Sequence, residues 1–119
     1  MDEWIDSYLN HLAVEKGASP HTLEAYSRDL SRFQRFIAAL KLPSFGEVQS
    51  VEVTTFINSL RQEGLSPKSV NRTLAAIKGF YKHLVRERKV KQSPVMHIHP
   101  QRGWLYLPGA LSQAEMNIL

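Results

Sequence analysis

Two helix starts in this chain are near copies of each other. Gly17-Ala18-Ser19-Pro20-His21-Thr22-Leu23 returns as Gly64-Leu65-Ser66-Pro67-Lys68-Ser69-Val70, 47 residues further on. Each copy supplies a glycine to stop one helix, a serine to cap the next, and a proline at the first helical position, where the missing N–H costs nothing. A second hydroxyl follows in the first turn. Two good caps with no further relation would look the same, because these residues are common at helix starts. The sharper reading is a pair of helical hairpins. Two hairpins are too few for a solenoid, so they should pack across each other.

The apolar residues support that reading with helical spacing in four segments. The first, about 2–16, aligns Ile5, Tyr8, Leu9 and Leu12, with Trp4 at the edge. The second, about 20–41, aligns Leu23, Tyr26, Leu30, Phe33, Ile37 and Leu40. The third starts after Ser50, carries Val53, Phe56, Ile57 and Leu60, and stops at Gly64. The fourth, from Pro67 to about Arg88, carries Val70, Leu74, Ile77, Tyr81 and Leu84. Nothing before residue 89 alternates like a strand, so the domain is expected to be all-α. Tyr26, Leu30, Phe33, Leu74, Ile77 and Tyr81 are assigned to the core.

A chain of 119 residues with 43% apolar side chains is long enough for one packed domain and at most the start of a second. Its 22% of charged residues, with six glycines and six prolines, argues against disorder. The absence of cysteine excludes a disulfide framework, a thiol nucleophile and a cysteine-built zinc site. No apolar run approaches the ~18 residues of a membrane span, and the start Met1-Asp2-Glu3 lacks the basic end of a signal peptide. A soluble, cytoplasmic chain with no membrane partner is the expectation.

Residues 89–119 read differently. Pro94, Pro100 and Pro108 interrupt any helix, and Arg102-Gly103-Trp104-Leu105-Tyr106-Leu107 reads as extended. The expected division is a helical domain over 1–88, an extended linker over 89–110, and the start of a further domain over 111–119. Ser112-Gln113-Ala114-Glu115 has the form of a capping box, with Leu111 and Met116 spaced for a hydrophobic staple. That box announces a helix and only four residues follow it, which suggests the front portion of something longer. A short helix folding back on the domain is the alternative.

Net charge is +4, and its distribution says more than its total. The first segment sets Asp2, Glu3, Asp6 and Glu15 against Lys16 alone. A fourth charge block, residues 66–91, sets Lys68, Arg72, Lys78, Lys82, Arg86, Arg88, Lys89 and Lys91 against Glu87 alone. Solubility by itself would intersperse the signs, so a basic surface facing a polyanion is indicated. On the second helix His21, Arg28, Arg32 and Arg35 share a sector opposite the apolar face. On the fourth, Lys68, Asn71, Arg72, Lys82 and Arg86 share one, with Lys78 at its edge. Ala75 and Gly79 lie mid-sector, where small residues either let a partner approach the backbone or admit a neighbouring helix. Duplex DNA fits: an α-helix enters the major groove, and Arg, Lys and Asn read base edges. Ser19, Thr22, Ser66 and Ser69 sit at helix N-termini that can take phosphate, though they cap the helices in any case.

Catalytic patterns are weak by comparison. His97 and His99 form an H-x-H with no carboxylate or cysteine close in sequence, and a loop pair suits them better than a metal site. His11 and His83 are expected near exposed helix positions. No phosphate loop, nucleophile elbow or H-E-x-x-H occurs. Tyr8, Tyr26 and Tyr81 occupy apolar positions and Tyr106 lies in the linker. No cofactor, metal site or catalytic residue is expected.

An ordered set of short motifs runs through the whole chain. It comprises Tyr8-Leu9 and Leu12 with Glu15-Lys16, then Ser19-Pro20-His21-Thr22-Leu23 with Tyr26 and Asp29-Leu30. It continues with Gly64-Leu65-Ser66-Pro67-Lys68-Ser69-Val70-Asn71-Arg72 and Ile77-Lys78-Gly79-Phe80-Tyr81, and closes on Leu107-Pro108, Leu111-Ser112 and Glu115. In this set the sequence resembles the N-terminal core-binding domain of the tyrosine site-specific recombinases, the phage-integrase and Xer family. The resemblance implies a SAM-like bundle of four main helices, built from two crossed hairpins and forming half of a C-shaped clamp around a recombination half-site. It implies that the second and fourth helices meet the major groove. It also implies a parent enzyme that works through a 3′-phosphotyrosine and assembles as a tetramer on two DNA sites. The family's catalytic arginines, histidines and tyrosine belong to the following domain, so Arg102 inherits no such role.

The expected DNA contacts are therefore His21, Thr22, Arg28, Arg32, Lys68, Ser69, Asn71, Arg72, Lys78 and Lys82, with Asn71 the candidate for base reading. A helical module that binds an acidic protein partner is a second reading. A small stand-alone regulator, dimeric on a palindrome, is a third.

Overall fold

The computed structural model describes residues 2–95 and residue 98. Four helices form where the apolar spacing puts them: α1 (Asp2–Glu15), α2 (Pro20–Ala39), α3 (Ser50–Gln62) and α4 (Pro67–Arg86). One 3-10 turn, Phe45–Glu47, joins α2 to α3, and no strand occurs among the described residues. The all-α expectation holds. α2 and α4 pack on each other, and α1 and α3 each touch both.

The two copied starts do the same work. Ser19 and Ser66 stand in extended backbone and accept the N–H of Thr22 at 3.2 Å and of Ser69 at 3.1 Å. Each serine also donates its hydroxyl proton to the second hydroxyl, Thr22 at 3.0 Å and Ser69 at 3.2 Å. The repeat extends to the helix ends. α1 and α3 stop at Gly17 and Gly64, with φ of 62° and 94°. α2 and α4 stop at Lys41 and Arg88, with φ of 64° and 62°, again 47 residues apart. Leu42 N–H then bonds back to Ile37 C=O, and Lys89 N–H to Leu84 C=O, so both ends satisfy carbonyls that would otherwise be orphaned.

Burial repeats as well. Leu30, Phe33 and Ile37 of α2 match Ile77, Phe80 and Leu84 of α4 at the same offset, and all six are at most 1% exposed. Leu74 and Tyr81 are fully buried as expected, while Tyr26 is partly buried at the margin of the core. Phe45, from the 3-10 turn, fills the space between the paired helices. Its ring centroid lies 4.8 Å from Phe80 and 6.0 Å from Phe33, and its carbonyl accepts the Tyr81 hydroxyl at 2.8 Å.

Packing continues past α4. Val95 is 1% exposed in the core, Val90 and Ile98 pack against it, and the Ser50 hydroxyl donates to the Pro94 carbonyl. So the first residues of the expected linker fold back across the start of α3. The rest of that linker, the Ser112–Glu115 capping box and residues His97, His99, Arg102 and Tyr106 lie outside the described residues.

Candidate nucleic-acid interface

The outer face of α4 carries Lys68 and Lys82 in solvent and Lys78 half-buried. None of the three is ion-paired with a carboxylate among the described residues. Arg72 differs. Its Nε and Nη2 each donate to Asp29 at 2.9 Å, a two-pronged pair that ties α4 to α2. Asp29 is 2% exposed and the Arg72 side chain 39%. Hydrogen bonding to Asp29 holds the Arg72 guanidinium above its already high ordinary pKa, against the opposing effect of its burial. Of the four basic α4 residues among the expected contacts, Arg72 alone has its charge balanced by a carboxylate among the described residues. Asn71 beside it is half-buried, with Oδ1 buried and unpartnered. Reading adenine through both amide atoms needs Oδ1 as well as Nδ2, so Asn71 must rotate outward to do so.

On α2, His21 and Thr22 are exposed in the first turn, where Thr22 is already bonded to Ser19. Arg28 lies 3.8 Å from Glu24, with both side chains well over half exposed. A contact so long and wet is worth little, and it leaves Arg28 able to turn to a stronger partner. Arg32 is half-buried and Arg35 exposed, both without a carboxylate partner among the described residues.

The two small residues of the α4 sector part company. Ala75 is exposed. Gly79 instead admits a neighbouring helix: a Cβ there would overlap the Tyr8 hydroxyl of α1 and lie 3.1 Å from Tyr8 Cζ. Tyr8 is 4% exposed, and burial pushes its hydroxyl up to about 12.

Lys82 stands where two hollows meet. One, about 330 Å³, is lined by Lys78, Lys82 and Lys91 with Val85 and Val95 beneath. The other, about 110 Å³ between α1 and α4, is lined by Lys16, Lys82, Arg86, His11 and His83 among others. No carboxylate lines either. Lys16 and Lys91 stood outside the expected contacts. Lys91 belonged to the basic fourth block, but Lys16 ends an acidic helix and gave no signal. Lys68, at the opposite end of α4, is about 21 Å of helix from Lys82.

His83 corrects an expectation. It is 5% exposed, not near the surface, because α1 covers this side of α4. Its Nε2 lies 3.2 Å from Ser7 Oγ, its ring centroid is 5.1 Å from that of half-buried His11, and its Nδ1 is buried without a partner. Burial first, then the nearby His11 and Arg86, hold its pKa below the ordinary imidazole value, while Glu87 pulls the other way. No group of three potential metal ligands occurs among the described residues. No helix among them is long and apolar enough to cross a membrane.

Comparison with known proteins places this surface in context. The family model described as the phage integrase N-terminal SAM-like domain matches residues 5–88. A tyrosine recombinase XerC of Halalkalibacterium halodurans is 34% identical over 118 residues, covering 99% of this chain and 39% of the relative. A XerC of Pseudomonas syringae pv. tomato is 37% identical over 111 residues, covering 93% and 37%. A tyrosine recombinase XerD of Listeria monocytogenes is 32% identical over 120 residues, covering 100% and 40%. The chain thus spans about two fifths of the length of these relatives. No solved structure matches it.

Proposed function

The chain belongs to the phage integrase N-terminal SAM-like domain family, and from that membership we propose that it is the DNA-gripping front portion of a tyrosine recombinase. Its role in DNA recombination is to hold duplex DNA at a recombination half-site. The observation that carries this reading is the cluster of cations around Lys82, drawn from α1, α4 and the segment after α4, with no acid lining it. An unpaired cluster of one sign is costly to hold on a surface unless a polyanion meets it.

In this reading α4 lies along the major groove, with Lys78 and Lys82 on phosphates near one end and Lys68 near the other. Arg28 and Arg32 extend the grip from α2, and Thr22 and Ser69 place helix N-termini against the backbone. Arg72 acts differently from the lysines: through Asp29 it holds the two DNA-facing helices in register. Asn71, swung outward, reads a base edge.

The domain itself grips and does not cut. Tyr8 and Tyr81 are buried with their hydroxyl pKa values raised by burial, and the Tyr81 proton is committed to the Phe45 carbonyl. Cleavage through a 3′-phosphotyrosine and assembly into a tetramer on two sites belong to the parent enzyme.

A fluorescence-anisotropy titration of a labelled duplex across salt concentrations tests the grip. About five neutralised phosphates give a log–log slope of roughly −4 to −5. A flat salt response overturns it.

A further inference from the structure

We propose that the hollow between α1 and α4 is a phosphate site, which seats one backbone phosphate of the bound DNA. This rests on the proposed DNA binding and adds to it a contact from α1, the acidic helix, that the grip of α2 and α4 does not require.

The donor set points to an oxyanion. Lys16 closes the hollow from the end of α1, and Lys82 and Arg86 from α4. Arg86 Nη2 lies 2.8 Å from His11 Nε2. A guanidinium only donates, so His11 Nε2 accepts and the ring hydrogen sits on Nδ1. Arg86 is thus spent on an imidazole, and its charge finds no carboxylate among the described residues.

His83 supplies the second, independent observation. Its Nε2 faces Ser7 Oγ, and its Nδ1 is left buried without a partner. A buried nitrogen without a partner costs stability that the fold does not recover. Nδ1 has no surface open to the hollow in the ring's present setting, so a phosphate oxygen there would accept from Nδ1–H once the ring turns toward it, and Ser7 Oγ can donate to or accept from Nε2 as the ring's protonation requires. The volume, about 110 Å³, suits one oxyanion and not a base. Lys82 also lines the larger basic hollow, so the site continues the proposed groove surface.

Proton linkage follows from the neighbours of His83. Tyr8, His11 and Lys16 face it from α1, and Lys82, Arg86 and Glu87 from its own helix. Only Glu87 favours the protonated ring. A bound phosphate adds a negative charge on the other side and favours it strongly. DNA then binds more tightly as pH falls, by up to about tenfold per pH unit for one proton taken up.

The test follows the His83 ring by NMR through a pH titration of the whole chain, alone, with a short duplex, and with inorganic phosphate. Duplex affinity is measured in parallel between pH 8 and pH 5.5 for the parent, Lys16→Gln and His83→Gln. The site requires that the duplex move the His83 titration upward, and that both variants flatten the pH dependence of binding. Lys16 is exposed, so its variant reports even if His83→Gln does not fold. A parent chain that binds no duplex at any pH fails the underlying reading. A chain that binds duplex with the His83 titration unmoved, and Lys16→Gln binding like the parent, overturns the phosphate site alone. Movement with inorganic phosphate and none with duplex overturns the DNA assignment.

Discussion

α2 and α4 are the same helix built twice and then put to different uses. They share length, cap, proline start, left-handed stop and three buried apolar positions, all at one offset. Outside those three positions the two copies diverge. Arg32 of α2 corresponds to Gly79 of α4, which Tyr8 covers, and buried Asp29 corresponds to buried Ala76. Packing in the shared core fixes those three apolar positions through shape, so both copies keep them. Elsewhere each copy carries its own charges: α2 an arginine leaning on Glu24 and a buried aspartate spent on α4, α4 a run of lysines without acids.

The largest effects test the shared frame. Phe33→Ala and Phe80→Ala remove equivalent fully buried rings, and each should cost about 3–5 kcal/mol in denaturant unfolding. Costs that differ by much more than about 1 kcal/mol would break the equivalence.

The ion pair across the frame comes next. Arg72→Met leaves Asp29 buried and unpaired, at a cost of about 3 kcal/mol, near the low end for such pairs because Arg72 is partly in water. Asp29→Ala should cost less, about 1–2 kcal/mol, since the arginine can turn to solvent. Equal losses would mean that the pair is not buried on the aspartate side.

Gly79→Ala gives a smaller, signed test. Helix propensity alone favours alanine by about 1 kcal/mol. The overlap with Tyr8 should reverse that sign, with a net loss of about 1–2 kcal/mol. Tyr8→Phe in the same chain removes the overlapping hydroxyl and should restore part of it. A plain gain from Gly79→Ala would show that α1 does not cover this side of α4.

The smallest effect is in pH. His83 is held below its ordinary 6.5, so the unfolded chain takes up its proton first as pH falls. Stability present at pH 7 should therefore decline below about 6.5 and stop declining once pH lies under the folded value. Thermal melts from pH 8 to pH 5 should show the decline, and His83→Gln should remove that part of it.

The sequence made the frame legible because caps and 3.6-residue spacing are local signals. Ser19-Pro20, Ser66-Pro67 and the apolar stripes place α2 and α4 to within two residues. What stayed hidden depends on neighbours. Phe45 sits alone between Pro43-Ser44 and Gly46, without periodicity, yet it plugs the core. Asp29 reads as one more surface acid until α4 brings Arg72 against it. His83 lies off the apolar stripe and is buried only because α1 crosses there. Val95 stands among breakers and still packs inside. The candidate contacts were legible as charge, but which lysines converge, and that Arg72 is already engaged, required the fold.

The central claim is that the unpaired lysines of α4 meet DNA, and duplex titration of Lys78→Glu/Lys82→Glu tests it most directly. Both side chains lie outside the core, so melting should change by no more than about 1 kcal/mol in total. Binding at low salt should weaken by more than about tenfold as two phosphate contacts become repulsive. The control is Glu47→Lys/Glu63→Lys, two exposed acids that line neither basic hollow, which should bind as well as the parent or slightly better. A Lys78→Glu/Lys82→Glu chain that stays folded and binds duplex like the parent would contradict the account.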